Sequence, residues 1–172
     1  RSLVPPTRTR SPAVAVTDLA NLFAMVKLYR AAVHAGIKPI VGVDVWLENA
    51  DNPVKPFRLL LLCQDRRGYG HLSRLLTRAY LEGQHSGRPC LSKHWFAGAT
   101  EGLIALSGAL DGDLGQALLA GNSARADALA AEYAALFPGR FYVELQRVGQ
   151  SQEEAYIADV LPLCARLGLP VV

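Results

Sequence analysis

Two hydrophobic periods alternate along this chain, and that alternation limits the folds open to it. Short continuous apolar runs occur at Pro12–Thr17, Ile40–Leu47, Phe57–Cys63 and Gly102–Leu106. Between them lie stretches with helical spacing. Asn21–Ala35 puts Leu22, Met25, Val26, Tyr29 and Val33 on one face and closes at Gly36, a residue suited to the left-handed position after a helix. A second helix is expected over Gly70–Leu81, with Leu72, Leu75, Leu76 and Ala79 inward and Arg74 and Arg78 outward. Two more fall near Leu114–Ala120 and Ser123–Leu136, and the Pro138-Gly139 turn introduces a strand over Arg140–Gln146. Ser151-Gln-Glu-Glu154 reads as a capping box opening a last helix, in which Pro162 predicts a kink or break. Leu169–Val172 starts one more strand. Strand and helix in this order imply βα units around a mostly parallel sheet, and strands apolar on both faces imply cover on both sides. An open doubly wound sheet and a closed barrel both satisfy the pattern.

The 172 residues amount to one domain, and at 51% hydrophobic they are too apolar for a disordered tail. No apolar run is long enough to span a bilayer, so no membrane association is expected. The chain has 18 Lys and Arg against 15 Asp and Glu, but Arg1, Arg8 and Arg10 precede Pro12 and no acid accompanies them. From Pro12 onward the charges balance, which gives no support for a phosphate-binding surface. Residues 1–11 read as a flexible leader or cloning remnant and 12–172 as the folded domain. The three cysteines Cys63, Cys90 and Cys164 are far apart and form no CxxC pair. A reducing compartment, the cytoplasm, is the simpler expectation.

Standard catalytic signatures are absent: no GxSxG, GxxxxGK[ST], HExxH or helix-opening GxGxxG occurs. Gly68-Tyr-Gly70 reads as a strand-to-helix turn, and Asp111-Gly-Asp113 as a turn into a helix N-terminus. His34, His71, His85 and His94 do not cluster with acids at metal-ligand spacing. His34 suits the last turn of its helix, and the aromatics of His94-Trp95-Phe96 are expected to pack inward. Asp18 and Asp44 lie at or near the C-terminal ends of apolar strands, where βα proteins build their sites. A carboxylate there needs a partner. Local capping ahead of the next helix suits Asp18, and an ion pair with Arg58 on the adjacent strand suits Asp44. Glu144 faces either a pocket or solvent.

Several segments, taken together and in order, resemble the N-terminal PHP domain of bacterial DNA polymerase III alpha subunits of the replicative type. They are Ala15-Val-Thr-Asp-Leu-Ala-Asn-Leu-Phe23, Ala35-Gly-Ile-Lys-Pro-Ile-Val-Gly-Val-Asp44, Gly68-Tyr69 with its Leu-rich helix, Glu101-Gly-Leu-Ile-Ala-Leu-Ser-Gly108, Ala120-Gly-Asn122 and Gly168-Leu-Pro-Val-Val172. The resemblance implies a distorted β/α barrel, here truncated at both ends, with a polynuclear metal pocket at the C-terminal ends of its strands. Intact members hydrolyse phosphate esters there and can proofread.

Against that pattern the pocket looks dismantled. Asp18 is followed by Leu19 where intact members have His; Asp44 stands in place of a Glu; Arg58 replaces a His; and Val148 occupies a position where metal-bearing relatives tend to have His. Neither Leu, Val nor a guanidinium cation can replace an imidazole as a ligand. The resemblance therefore implies a vestigial, non-catalytic domain with no cofactor of its own, Mg²⁺ belonging to the parent polymerase. It implies as partners the remainder of the polymerase chain and the proofreading exonuclease subunit, with DNA met only through the parent chain. The alternatives are a metal-dependent phosphoesterase, either histidinol-phosphatase-like or a PHP proofreading nuclease, and the error-prone paralogue of the polymerase.

Overall fold

The computed structural model describes residues 12–172, and the expectation of a leader over 1–11 lies outside them. The strands are β1 (Ala13–Leu19), β2 (Lys38–Leu47), β3 (Phe57–Cys63), β4 (Gln84–His85), β5 (Arg88–Leu91), β6 (Leu103–Leu106) and β7 (Phe141–Tyr142). The helices are α1 (Met25–His34), α2 (Arg66–Glu82), α3 (Asp113–Leu119), α4 (Ser123–Leu136) and α5 (Glu153–Leu167).

The sheet is mixed, which corrects the expectation of mostly parallel strands. α1 carries the chain back from β1 to β2, so those two pair in parallel. Only the 48–56 loop joins β2 to β3, and it holds no helix; a connection that short permits an antiparallel pair and no crossover. β3 is thus reversed against both β2 and β6, while β7 again runs parallel to β6. The sheet order is β4-β5-β2-β3-β6-β7, with β1 and β5 taking successive stretches of the same β2 edge. Val143 bridges in parallel to Val171, so the apolar C-terminal run does add to the sheet. Among the described residues no pairing joins the two ends of this path, and a closed barrel is not formed by them.

Register sorts the side chains into two faces. The row Val43, Leu61, Ala105 and Phe141 points to one side and is buried against α2–α5. The neighbouring row Leu19, Asp44, Leu60, Leu106 and Tyr142 points to the other, where every member is half-buried or exposed. Full cover on both sides, expected from the apolar strands, is therefore present on one side only.

Three local readings change as well. α2 begins at Arg66, ahead of the expected Gly70, because the Asp65 carboxylate accepts from the Gly68 amide at 2.9 Å and caps it. Gly68 belongs in this helix for a packing reason: a Cβ there would lie 1.8 Å from the Gly102 carbonyl oxygen. The capping box does not form, since Gln152 takes the N-cap position at φ +76° without a side-chain cap. Glu153 instead accepts from the Val148 and Gly149 amides at 2.9 and 3.1 Å. α5 continues through Pro162, which sits on its exposed side, where the carbonyl freed at Ala158 can meet water.

Candidate functional site

In the antiparallel β2–β3 ladder Asp44 lies opposite Leu60 and Trp46 opposite Arg58, so Asp44 and Arg58 are diagonal neighbours on the less covered face. The Arg58 guanidinium grips the carboxylate with two donors: Nε reaches Asp44 Oδ1 at 2.7 Å, and Nη2 reaches Oδ2. Such a fork is the strong form of an arginine–carboxylate contact. The guanidinium also lies 4.7 Å from the centroid of the Trp46 ring, which adds cation–π attraction. Their side chains are 26% and 21% exposed, so water screens the pair only in part.

Burial pulls the Arg58 pKa below its ordinary value, while the Asp111 and Glu144 carboxylates push it back up. Arginine stays protonated throughout. The cation therefore sits in a field set by three carboxylates from three parts of the fold: β2, the turn after β6, and the segment after β7. Glu144 is held there by its amide on Ser107 Oγ at 3.0 Å and by Gln146 Nε2 on its carboxylate at 2.6 Å. Asp111 had no signal beyond an Asp-Gly-Asp turn, and Glu144 had none that chose a face, so sequence alone did not assemble this group. Beside Asp44 the face is filled by hydrocarbon. A Cβ at Gly42 would meet Leu62 Cδ2 at 2.5 Å and Thr17 Cγ2 at 2.8 Å.

The other candidates do not converge on this pair. Asp18 and Leu19 are neighbours in a strand and so point to opposite faces. Leu19 registers with Asp44 and is 42% exposed; Asp18 registers with Val43, and its Oδ2 accepts from the Ala24 amide at 2.6 Å. Capping ahead of α1 is thus the role of Asp18 in this structure. Val148 is 69% exposed in the loop before α5, its amide donating to Glu153. His34 ends α1, His94 Nδ1 lies 2.7 Å from Ser92 Oγ, and His85 and His71 have local partners of their own.

This donor set does not fit a polynuclear metal centre. The Asp44 carboxylate is engaged on both oxygens by a permanent cation, Asp18 is turned to the Ala24 amide ahead of α1, and the side chains of Leu19 and Val148 carry no donor atom. Among the described residues no group of three or more His, Cys, Asp or Glu is placed to hold a metal ion. A divalent cation at Asp44 would have to displace Arg58.

Residues 8–148 match the family model of the PHP domain. The chain belongs to the PHP family. It is similar to DNA polymerase III alpha subunits from Pseudomonas fluorescens (44% identical over 161 residues), Neisseria meningitidis serogroup A (46% over 164) and Escherichia coli K12 (41% over 161). Each match covers 94% of this chain and 14% of the relative, so the chain spans about one seventh of their length. In fold it is similar to a structure assigned as a metal-dependent phosphoesterase from Bifidobacterium adolescentis, with a TM-score of 0.58 at 13% identity over 93% of this chain and 75% of that one. No helix of the described residues is long and apolar enough to cross a membrane.

The PHP domain holds a second polar cluster, buried where sequence reasoning expected only a turn. Asp113, 4% exposed at the start of α3, accepts the Tyr133 hydroxyl at 3.0 Å and pairs with Lys93 Nζ at 2.6 Å. Lys93 reaches Glu132 as well, at 2.9 Å, and lies over the Tyr133 ring. Burial first, and then the Asp113 charge, raise the Tyr133 pKa well above its ordinary value. These contacts tie the turn at Lys93–Phe96 to α3 and α4.

Proposed function

We propose that this PHP domain is a non-catalytic scaffold of a replicative bacterial DNA polymerase III alpha subunit, and that it docks the proofreading exonuclease subunit. The observation that carries the reading is the Asp44–Arg58 pair: a built-in cation neutralises the carboxylate that a metal would otherwise need. Similarity over nearly the whole chain to alpha subunits supports the parent's identity. In this reading polymerisation and its Mg²⁺ belong to the parent chain, DNA is met only through it, and the setting is the cytoplasm. Balanced charge from Pro12 onward suits contact with protein better than contact with DNA.

The test is hydrolysis of p-nitrophenyl phosphate and of a DNA 3′ end by the full polymerase chain, with Mn²⁺ or Zn²⁺ added. The expected result is no activity that depends on Asp44. Turnover abolished by Asp44→Asn would overturn the non-catalytic reading. A second reading, a metal-dependent phosphoesterase, draws on the fold shared with the Bifidobacterium protein. It predicts phosphate release that a chelator stops.

A further inference from the structure

α1 leaves an apolar stripe half exposed along one flank. Val26, Tyr29 and Val33 recur along α1 at steps of three and four residues, the spacing of a helix–helix seam. Val26, Tyr29 and Val33 are 51%, 52% and 55% exposed, while Ala32, on another face, is the residue that α1 buries. Just ahead of α1, Leu22 and Phe23 line a groove of about 490 Å³ between the β1–α1 turn and α2, whose other wall includes Tyr80 and Leu81. Phe23 is 86% exposed and Leu81 78%. Contiguous apolar surface of this kind marks an interaction site more often than a bare face.

Charge indicates what covers it. No acidic residue occurs between Asp18 and Asp44, whereas Lys27, Arg30 and Lys38 all fall in that interval. The two bounding carboxylates are already engaged, by the Ala24 amide and by Arg58. Lys27, Arg30 and Lys38 make no ion pair among the described residues. An apolar seam flanked by unpaired cations is the complement of an amphipathic helix with acidic flanks.

We propose that α1 and the adjoining groove dock an acidic, amphipathic helix of a partner protein. Its apolar anchors at i, i+3 or i+4, and i+7 would seat along Val26, Tyr29 and Val33, and its carboxylates would meet Lys27, Arg30 and Lys38. This rests on the docking reading given above and assigns it a surface. Nucleic acid is the poorer occupant, because a strand stacking on Tyr29 would leave the aliphatic Val26 and Val33 on either side of it uncovered.

The experiment uses the full polymerase chain, with the proofreading exonuclease subunit of the same replicase as probe. Binding is read by titration calorimetry, together with maleimide labelling of Val26→Cys and Val33→Cys. Expected results are fast labelling in the free polymerase that slows on adding the exonuclease, and binding at least about 30-fold weaker for Val26→Glu/Val33→Glu. Lys27→Glu/Arg30→Glu, confined to exposed positions and so harmless to folding, is expected to weaken binding about tenfold at low salt and to flatten its salt dependence. Unchanged affinity in both variants, with wild type binding, overturns this surface and leaves docking intact. Slow labelling without the exonuclease shows the stripe covered by the polymerase itself and also overturns the proposal. No binding by wild type refutes the docking reading, and this proposal with it. Stripe-dependent binding of single-stranded DNA or anionic vesicles would replace the protein helix with another occupant.

Discussion

Replacing Arg58 with Met tests whether the guanidinium is the internal counter-ion of Asp44. Met retains much of the aliphatic length and removes the charge and both donors. The substitution strands the Asp44 carboxylate, 21% exposed, on a sheet face without its fork. Breaking a fully buried pair on one side costs about 3–5 kcal/mol, and an exposed one under about 1 kcal/mol. A pair about three-quarters buried therefore stands near 2 kcal/mol. Loss of the cation–π contact with Trp46 adds about 0.5–1 kcal/mol. For a chain of this size a total near 2.5 kcal/mol lowers the melting temperature by about 5–10 °C. Thermal unfolding followed by circular dichroism at pH 7 reads it directly. The double variant Asp44→Asn/Arg58→Met removes the stranded charge and is expected to recover about half the loss. A single variant as stable as wild type, or a double variant worse than both singles added together, would refute the reasoning.

Three further outcomes follow from the packing. Gly68→Ala drives a Cβ into the Gly102 carbonyl oxygen and is expected to cost about 1–3 kcal/mol in urea unfolding, although alanine favours helices. Tyr133→Phe leaves Asp113 short of one donor and is expected to cost about 1–2 kcal/mol at pH 7. Because burial raises the folded pKa of Tyr133, its contribution is whole below the unfolded value of 10.0 and is lost as pH rises above it; Tyr133→Phe should flatten that alkaline decline in a pH series of melting temperatures. The Glu153 carboxylate is held low by the Val148 amide first, so its contribution is present above the unfolded value of 4.5 and fades as pH falls through the folded value. Glu153→Gln is expected to flatten the acid limb of the same series while leaving the alkaline limb unchanged.

What the sequence made legible follows from how local each signal is. The strands at 40–47 and 57–63, the helix at 123–136 and the inward set Leu72, Leu75, Leu76 and Ala79 come from short-range periodicity, and all appear in the structure. Strand direction is a property of connections, and the helix-free 48–56 loop carried the information that reverses β3. The start of α2 was hidden because Gly68 and Gly70 argue against a helix, while the contact that requires Gly68 comes from Gly102 on a distant segment. The capping box at Ser151 failed through competition: Glu153 satisfies the amides of the preceding loop, and Gln152 takes the cap. Within the site, Asp44 and Arg58 were legible as a pair because adjacent strands of opposite charge invite it. Asp111 and Glu144 were not, since only the folded sheet brings them toward the guanidinium. The outward turn of Val26, Tyr29 and Val33 was equally invisible, because periodicity finds an apolar face without saying what it meets.

The claim that Asp44 is neutralised from within is tested most directly by metal content. The full polymerase chain is dialysed against excess Zn²⁺ or Mn²⁺, desalted and measured by elemental analysis beside its Asp44→Asn variant. The account predicts no retained metal that depends on Asp44, so the two proteins should give the same value. Stoichiometric metal in the wild type, lost in Asp44→Asn, would contradict it.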